Sequence, residues 1–206
     1  MSVATVAFLK GLAFGFVLAG TVGPMWILCF RRTLAHGRLF GFVSGMGVAT
    51  ADALYGFIAA FGLTAVSNFL LAQKFWLGLA GGAFLCWLGV KTLLSRPGER
   101  ATDARATSLA AAYGSTLVLT LTNPATILAF VAIFAGLGLA ASGSYAEASM
   151  VVLGVVLGSA AWWTILALGA GWLRNRSTPR LMRSINIVAG VSILAFGVGQ
   201  LVSLAV

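Results

Sequence analysis

Charged side chains are scarce in this 206-residue sequence, where Asp, Glu, Lys and Arg together account for 8% of the residues. Soluble domains carry about 25% charged residues, so this chain could not cover a soluble surface with polar groups. Apolar residues reach 60%, which rules out intrinsic disorder, because disordered chains combine low hydrophobicity with high net charge. The composition predicts an all-α membrane protein with several spans.

Cysteine and histidine are also rare. Cys29 and Cys86 both lie inside apolar runs, and His36 is the single histidine. A disulfide scaffold needs a short secreted chain rich in cysteine, and no group of residues has the spacing of metal ligands. We therefore expect no metal, no cofactor and no enzyme activity.

The net charge of +9 does not indicate nucleic-acid binding. The basic residues form short clusters between apolar runs, with no basic stripe and no interleaved aromatic residues. Such clusters are typical of the loops that flank membrane spans. The expected surroundings are the lipid bilayer and a small-molecule substrate, with no nucleic acid; a homo-oligomer is compatible with the sequence.

Uncharged runs divide the chain into membrane spans. A span needs about 20 apolar residues to cross the hydrocarbon layer. The sequence therefore predicts one transporter domain over residues 1–206 with six transmembrane helices. Their predicted ranges are 5–30, 39–62, 76–94, 110–135, 148–171 and 184–204.

The distribution of Lys and Arg predicts the orientation, because cytoplasmic loops are enriched in both. With six helices, connections 1–2, 3–4 and 5–6 lie on one side and carry eleven basic residues, whereas the other side has Lys10 and Lys74. The first side should be cytoplasmic, so both termini should be external. The eleven residues are Arg31, Arg32, Arg38, Lys91, Arg96, Arg100, Arg105, Arg174, Arg176, Arg180 and Arg183.

Two prolines indicate internal symmetry. Pro24 lies deep in the apolar run of helix 1, and Pro124 lies deep in that of helix 4. Helix 4 comes three spans after helix 1, an odd number, so the two helices cross the membrane in opposite directions. That is the arrangement of an inverted-topology repeat of three helices plus three. Repeat 1 would cover about residues 5–94 and repeat 2 about 110–204, joined by a cytoplasmic connection over about 95–109.

Each proline should break its helix and create a polar site. Proline has no N–H, so one carbonyl of the preceding turn loses its partner, and the half-helix that follows begins with free N–H groups and a positive dipole end. Such an end suits a carboxylate, although a simple kink is the alternative. The residues predicted to bind substrate here are Thr21, Gly23 and Pro24 in helix 1, and Thr122, Asn123 and Pro124 in helix 4.

Asp52 is the one acidic residue inside a predicted span. An Asp at the middle of a membrane helix costs about 2.5–3.5 kcal/mol on insertion scales. A proton, a cation or a substrate ammonium would offset that cost, so we predict a role in coupling or substrate binding; a hydrogen bond to a neighbouring helix is the structural alternative. Trp162, in the middle of helix 5, could stack on a substrate cation or simply pack.

These motifs, in this order, resemble the LysE/RhtB family of bacterial amino-acid exporters. The matching residues include Gly23-Pro24, Asp52, Asn123-Pro124 and Trp162-Trp163. The resemblance implies a six-helix inverted-repeat exporter of amino acids or related metabolites, driven by protons or the membrane potential, in the bacterial inner membrane. Uptake or exchange stays open.

Two other classes of membrane protein fit the sequence less well. Membrane thiol-electron carriers of the CcdA/DsbD type use paired thiols in helices 1 and 4, whereas here Cys86 falls in helix 3. A metal or inorganic-ion exporter of similar fold would need more hard ligands than one buried acid. An amino-acid exporter is therefore the favoured interpretation.

Overall fold

The computed structural model describes residues 2–60, 72–94, 108–123, 126–130, 145–174 and 178–204. All regular structure in these ranges is helical. A short helical segment at 126–130 accompanies seven longer helices. These are α1 Val3–Gly20, α2 Pro24–His36, α3 Arg38–Ala60, α4 Lys74–Leu94, α5 Leu109–Leu121, α6 Tyr145–Arg174 and α7 Pro179–Val202.

Five of these helices, α1, α3, α4, α6 and α7, are long and apolar enough to cross a membrane. The predicted spans 39–62, 76–94, 148–171 and 184–204 each correspond to one of them, with ends that differ by a few residues. The predicted span 5–30 is instead divided between α1 and α2, and α2 continues to His36. The predicted span 110–135 begins as the shorter helix α5 and continues, beyond Asn123, into the segment 126–130.

Three residues separate α1 from α2. Thr21 and Gly23 have extended backbones, with ψ of 123° at Thr21 and φ of −146° at Gly23. Pro24 is the first residue of α2, the position at which a helix tolerates proline because that N–H would have no intrahelical acceptor. Proline alone was expected to remove one hydrogen bond, whereas the interruption extends over residues 21–23.

Glycines bring α1 and α6 into close contact. A Cβ on Gly11 would collide with the backbone of Val151, and one on Gly15 with the backbone of Val155. Gly154 lies equally close to the backbone of α1. Small residues four apart allow such an approach in membrane proteins. The contact positions advance in the same direction along both helices, so α1 and α6 run parallel.

The pair formed by α4 and α7 packs in the opposite sense. Gly82 lies against Leu201, whereas Gly89, two turns later, lies against Leu194. The contacts move backward along α7 as they advance along α4, so these two helices are antiparallel. The sequence contained the small residues, but only the structure shows which helices they join.

Helix α3 lies between α5 and α6. It is antiparallel to α6, since Gly45 contacts Trp163 and Asp52 contacts Ser159. It is parallel to α5, since Thr116 donates to the carbonyl of Ser44 and Tyr55 donates to that of Leu121, both at 2.6 Å.

Helix α2 packs against α3, α5, α6 and α7 and is therefore the central element of the fold. Leu28 and Cys29 of α2 are almost wholly buried in the main apolar cluster, together with Trp163 and Ile193. Gly37 joins α2 to α3 with a φ of +102°, a conformation that favours glycine. The adjacent helices are thus connected by a one-residue turn.

Candidate functional site

A cavity of about 880 Å³ lies at the interruption between α1 and α2. Described residues of α3, α4, α5, α6, α7 and the segment 126–130 also line it. The lining residues are Leu18, Ala19, Thr21, Val22, Gly23, Pro24, Met25, Trp26, Val48, Asp52, Leu85, Thr120, Asn123, Thr126, Ala129, Trp163, Ser192, Ala195, Phe196, Gly199, Gln200 and Ser203. The volume falls within the range of small-molecule sites, about 300–1,000 Å³.

Asp52 lies in the wall of this cavity and is 2% exposed. The hydroxyl of Ser159 on α6 donates a hydrogen bond of 2.7 Å to Asp52 Oδ2. Asp52 is the one ionisable side chain among the described residues of the lining. A carboxyl group in this position can exchange a proton or pair with a substrate cation, and the Ser159 bond fixes its orientation.

The N-terminal end of α2 opens onto the same cavity. Gly23 provides no side-chain cap, and the first hydrogen bond of the helix runs from Ile27 N to Gly23 O, at 3.1 Å. The backbone N–H groups of Met25 and Trp26 precede that bond and so lie at the positive end of the helix dipole. This end can attract a carboxylate.

Thr21 also lines the cavity, and its hydroxyl donates to the carbonyl of Val17 at 3.2 Å. The donor is therefore used within α1, whereas the oxygen keeps acceptor capacity. The cavity is thus shared by Asp52 and the three residues predicted at the break of helix 1, Thr21, Gly23 and Pro24.

The C-terminal part of α5 and the residues that follow it contribute further polar groups. Thr120, Asn123 and Thr126 line the cavity. Thr122 does not: its hydroxyl donates to the carbonyl of Val118 at 2.9 Å. Pro124, the second predicted helix breaker, lies outside the described residues.

The two adjacent tryptophans of α6 have different surroundings. Trp163 is 2% exposed and lines the cavity. Trp162, the residue singled out from the sequence, packs edge-on against Phe16 with 5.2 Å between ring centroids and is absent from the lining. Consecutive helical residues point about 100° apart, so only tertiary packing decides which of them faces the cavity.

One face of α7 was missed by the sequence analysis. Ser192, Phe196, Gly199 and Ser203 recur at helical spacing and all line the cavity, as does Gln200. Gln200 also donates to the carbonyl of Gly78 at 2.8 Å and so connects α7 to α4. Polar residues within an otherwise apolar span were the signal available in the sequence.

Comparison with known proteins places these features in a family. The model of the LysE type translocator family matches residues 16–203. A putative amino acid efflux protein, YcgF of Bacillus subtilis, is 29% identical over 196 residues, 92% of each chain. The leucine efflux protein of Klebsiella pneumoniae is 31% identical over 116 residues, 54% of each chain. No solved structure matches the chain.

Proposed function

The chain belongs to the LysE type translocator family, and on this basis we propose that it exports amino acids or closely related small metabolites as a secondary transporter. We propose that it lies in the bacterial inner membrane and that its export is coupled to protons or to the membrane potential. The observation that carries the proposal is the cavity at a helix interruption, where Asp52 is buried as the one carboxyl group among the described lining residues.

The named relatives support an export role. One similar protein is described as a putative amino acid efflux protein and covers 92% of this chain, and another is described as a leucine efflux protein. Five helices long and apolar enough to cross a membrane are compatible with a transporter. We extend amino-acid export from these relatives to this chain as a proposal.

Helix directions support the inverted repeat. Helix α1 is parallel to α6, α6 is antiparallel to α3, and α3 is parallel to α5, so α1 and α5 run in opposite directions. Such a repeat would relate α1 to α5, α3 to α6 and α4 to α7. The observed contact between α1 and α6 then corresponds to the contact between α5 and α3, and the contacts α3–α6 and α4–α7 each correspond to themselves. We propose six crossings, with α1–α2 and α5 plus segment 126–130 as the two interrupted ones.

The described lining of the cavity extends toward the C-terminal end of α7. Its lining reaches Ser203, just beyond the C-terminal end of α7, but includes none of the residues from Ile27 to His36 in α2. Under the orientation predicted from the basic loops, we propose that the described lining lies nearer the external side of the membrane than the cytoplasmic side.

We propose that the substrate ammonium pairs with Asp52 and that the carboxylate lies near the N-terminal end of α2. These two regions present opposite charge to one cavity, which matches an amino-acid zwitterion. Release of the ammonium when Asp52 takes up a proton would couple export to a proton gradient.

Efflux from preloaded proteoliposomes tests the function. Purified protein should accelerate the exit of at least one amino acid over protein-free vesicles, and a pH gradient or membrane potential should change the rate. Reporter fusions after Arg100 and at Val206 should give cytoplasmic and external signals respectively. Absence of transport across a full amino-acid panel would contradict the proposal.

A double variant, Cys29→Ser with Cys86→Ser, distinguishes an exporter from a thiol-electron carrier. Both cysteines are free, and Cys29 is buried in α2. An exporter should keep its rate at normal membrane abundance, whereas a carrier would lose activity because thiol exchange requires both sulfurs.

A further inference from the structure

We propose that the substrate is a net-neutral amino acid with an apolar side chain, and that the cavity rejects amino acids with a second charge. This inference rests on the proposed export function. It deepens that function by assigning a substrate class from the cavity wall.

The first argument is the charge of the lining. Asp52 is the one charged group among the described lining residues. The other polar side chains are neutral: Thr21, Thr120, Asn123, Thr126, Ser192, Gln200 and Ser203. One carboxylate and one positive helix end balance the ammonium and the carboxylate of a zwitterion. A lysine side chain would lack an anion and a glutamate side chain would lack a cation.

The second argument is an apolar wall formed by Met25, Val48, Leu85 and Trp163. All four residues line the cavity, belong to one packed cluster and are at most 8% exposed. Val48 precedes Asp52 by four residues on α3, so the two lie on the same face one turn apart. The wall therefore begins beside the carboxyl group that would hold the ammonium, where the side chain of a bound amino acid would lie.

The discrimination follows from desolvation. An apolar side chain gains free energy against this wall because it leaves water, whereas an ionised side chain loses hydration without a partner. We expect a preference of at least tenfold, since water in the open part of the cavity solvates part of a long side chain.

The primary test compares leucine, lysine and glutamate efflux at equal internal concentration from the same proteoliposomes. The membrane potential is clamped at zero, so that substrate charge does not alter the driving force. We expect leucine to exit at least tenfold faster than either charged amino acid. Lysine or glutamate efflux equal to or faster than leucine would overturn the inference and leave the exporter function standing. No efflux of any amino acid would overturn both.

A charge added to the apolar wall provides the converse test. Leu85→Glu should raise the ratio of lysine to leucine efflux several-fold, because the new carboxylate can pair with the lysine side chain. Leu85→Gln, of the same size without the charge, should not. Equal ratios in the two variants would contradict the proposal. If Leu85→Glu does not reach the membrane, Val48→Asp with its control Val48→Asn makes the same comparison.

Discussion

The two ends of α2 are held in different ways. At its N-terminal end, Pro24, Met25 and Trp26 line the cavity and no side chain caps the helix. Toward its C-terminal end, Arg32 Nη1 donates to Ser44 Oγ at 3.1 Å and to the carbonyl of Ala112 at 2.9 Å, and Nη2 donates to Ser115 Oγ at 2.8 Å. The N-terminal end of α2 borders the cavity, whereas its C-terminal part is hydrogen-bonded to α3 and α5.

Arg31 extends the bonded end to a third helix. Its Nε donates to Asn186 Oδ1 on α7 at 3.0 Å, and Asn186 is 6% exposed. The difference teaches that the arginine end of α2 is held by directional hydrogen bonds from Arg31 and Arg32, whereas the described lining at the cavity end combines apolar side chains with one buried acid.

Asp52→Asn should have the largest effect, because it removes the one charged group among the described residues that line the cavity. If Asp52 binds the ammonium, substrate affinity should fall by about 2–5 kcal/mol, the cost of truncating one partner of a buried pair. If Asp52 instead carries the coupling proton, pH-driven export should disappear while counterflow persists. Binding and efflux are measured on the same purified protein.

Ser159→Ala is the matched control for Asp52→Asn. It removes the hydrogen bond to Asp52 Oδ2 but keeps the carboxyl group, so its effect should be smaller, as should that of Asp52→Glu. Wild-type binding and wild-type pH-driven efflux by Asp52→Asn would show that Asp52 is only a structural hydrogen-bonding residue.

Arg32→Gln should destabilise the bonded end. The shorter amide cannot make the three hydrogen bonds of the guanidinium, and a hydrogen bond to a charged group contributes about 1.5–3 kcal/mol. The thermal midpoint in detergent micelles should fall clearly below that of the wild type. Arg180→Gln, at an exposed position of α7, is the control and should unfold like the wild type. Equal midpoints for both variants would remove Arg32 as the element that closes this end.

Pro24→Ala should reduce transport more than folding. Alanine supplies an N–H and favours continuation of the helix across residues 21–23, which would displace the positive helix end from the cavity. We expect a rate loss of roughly tenfold, equivalent to about 1.4 kcal/mol in the barrier. Pro179→Ala is the matched control, since Pro179 also stands at the start of a helix, α7. Similar rates for both variants, at equal abundance, would mean that Pro24 is only a kink.

The smallest expected effect distinguishes the two tryptophans of α6. Trp163→Phe trims a ring that lines the cavity and should change the apparent affinity for substrate a few-fold. Trp162→Phe trims a ring that packs on Phe16 and should leave that affinity unchanged. Substrate titration of the efflux rate measures both. A larger change for Trp162→Phe would reverse this assignment.

Several features were accessible from the sequence because they depend on local chemistry. An apolar composition with few charges is compatible only with membrane helices, and four of the predicted spans correspond to long apolar helices. The isolated acid at position 52 and the Gly23-Pro24 dipeptide were identifiable for the same reason: a charge or a missing N–H in an apolar run is unusual wherever the chain folds.

The sequence by itself thus determined the membrane environment of the protein, its all-helical class and the residues that are costly to bury. Only the tertiary structure decided how these residues combine: the contact of Asp52 with Ser159, the choice of Trp163 over Trp162, the cavity face of α7 and the bonds of Arg32 to two helices. The physical reason is that the hydropathy and the backbone hydrogen bonding of a helix are set by its own segment, whereas helix rotation and pairing depend on which surfaces fit one another.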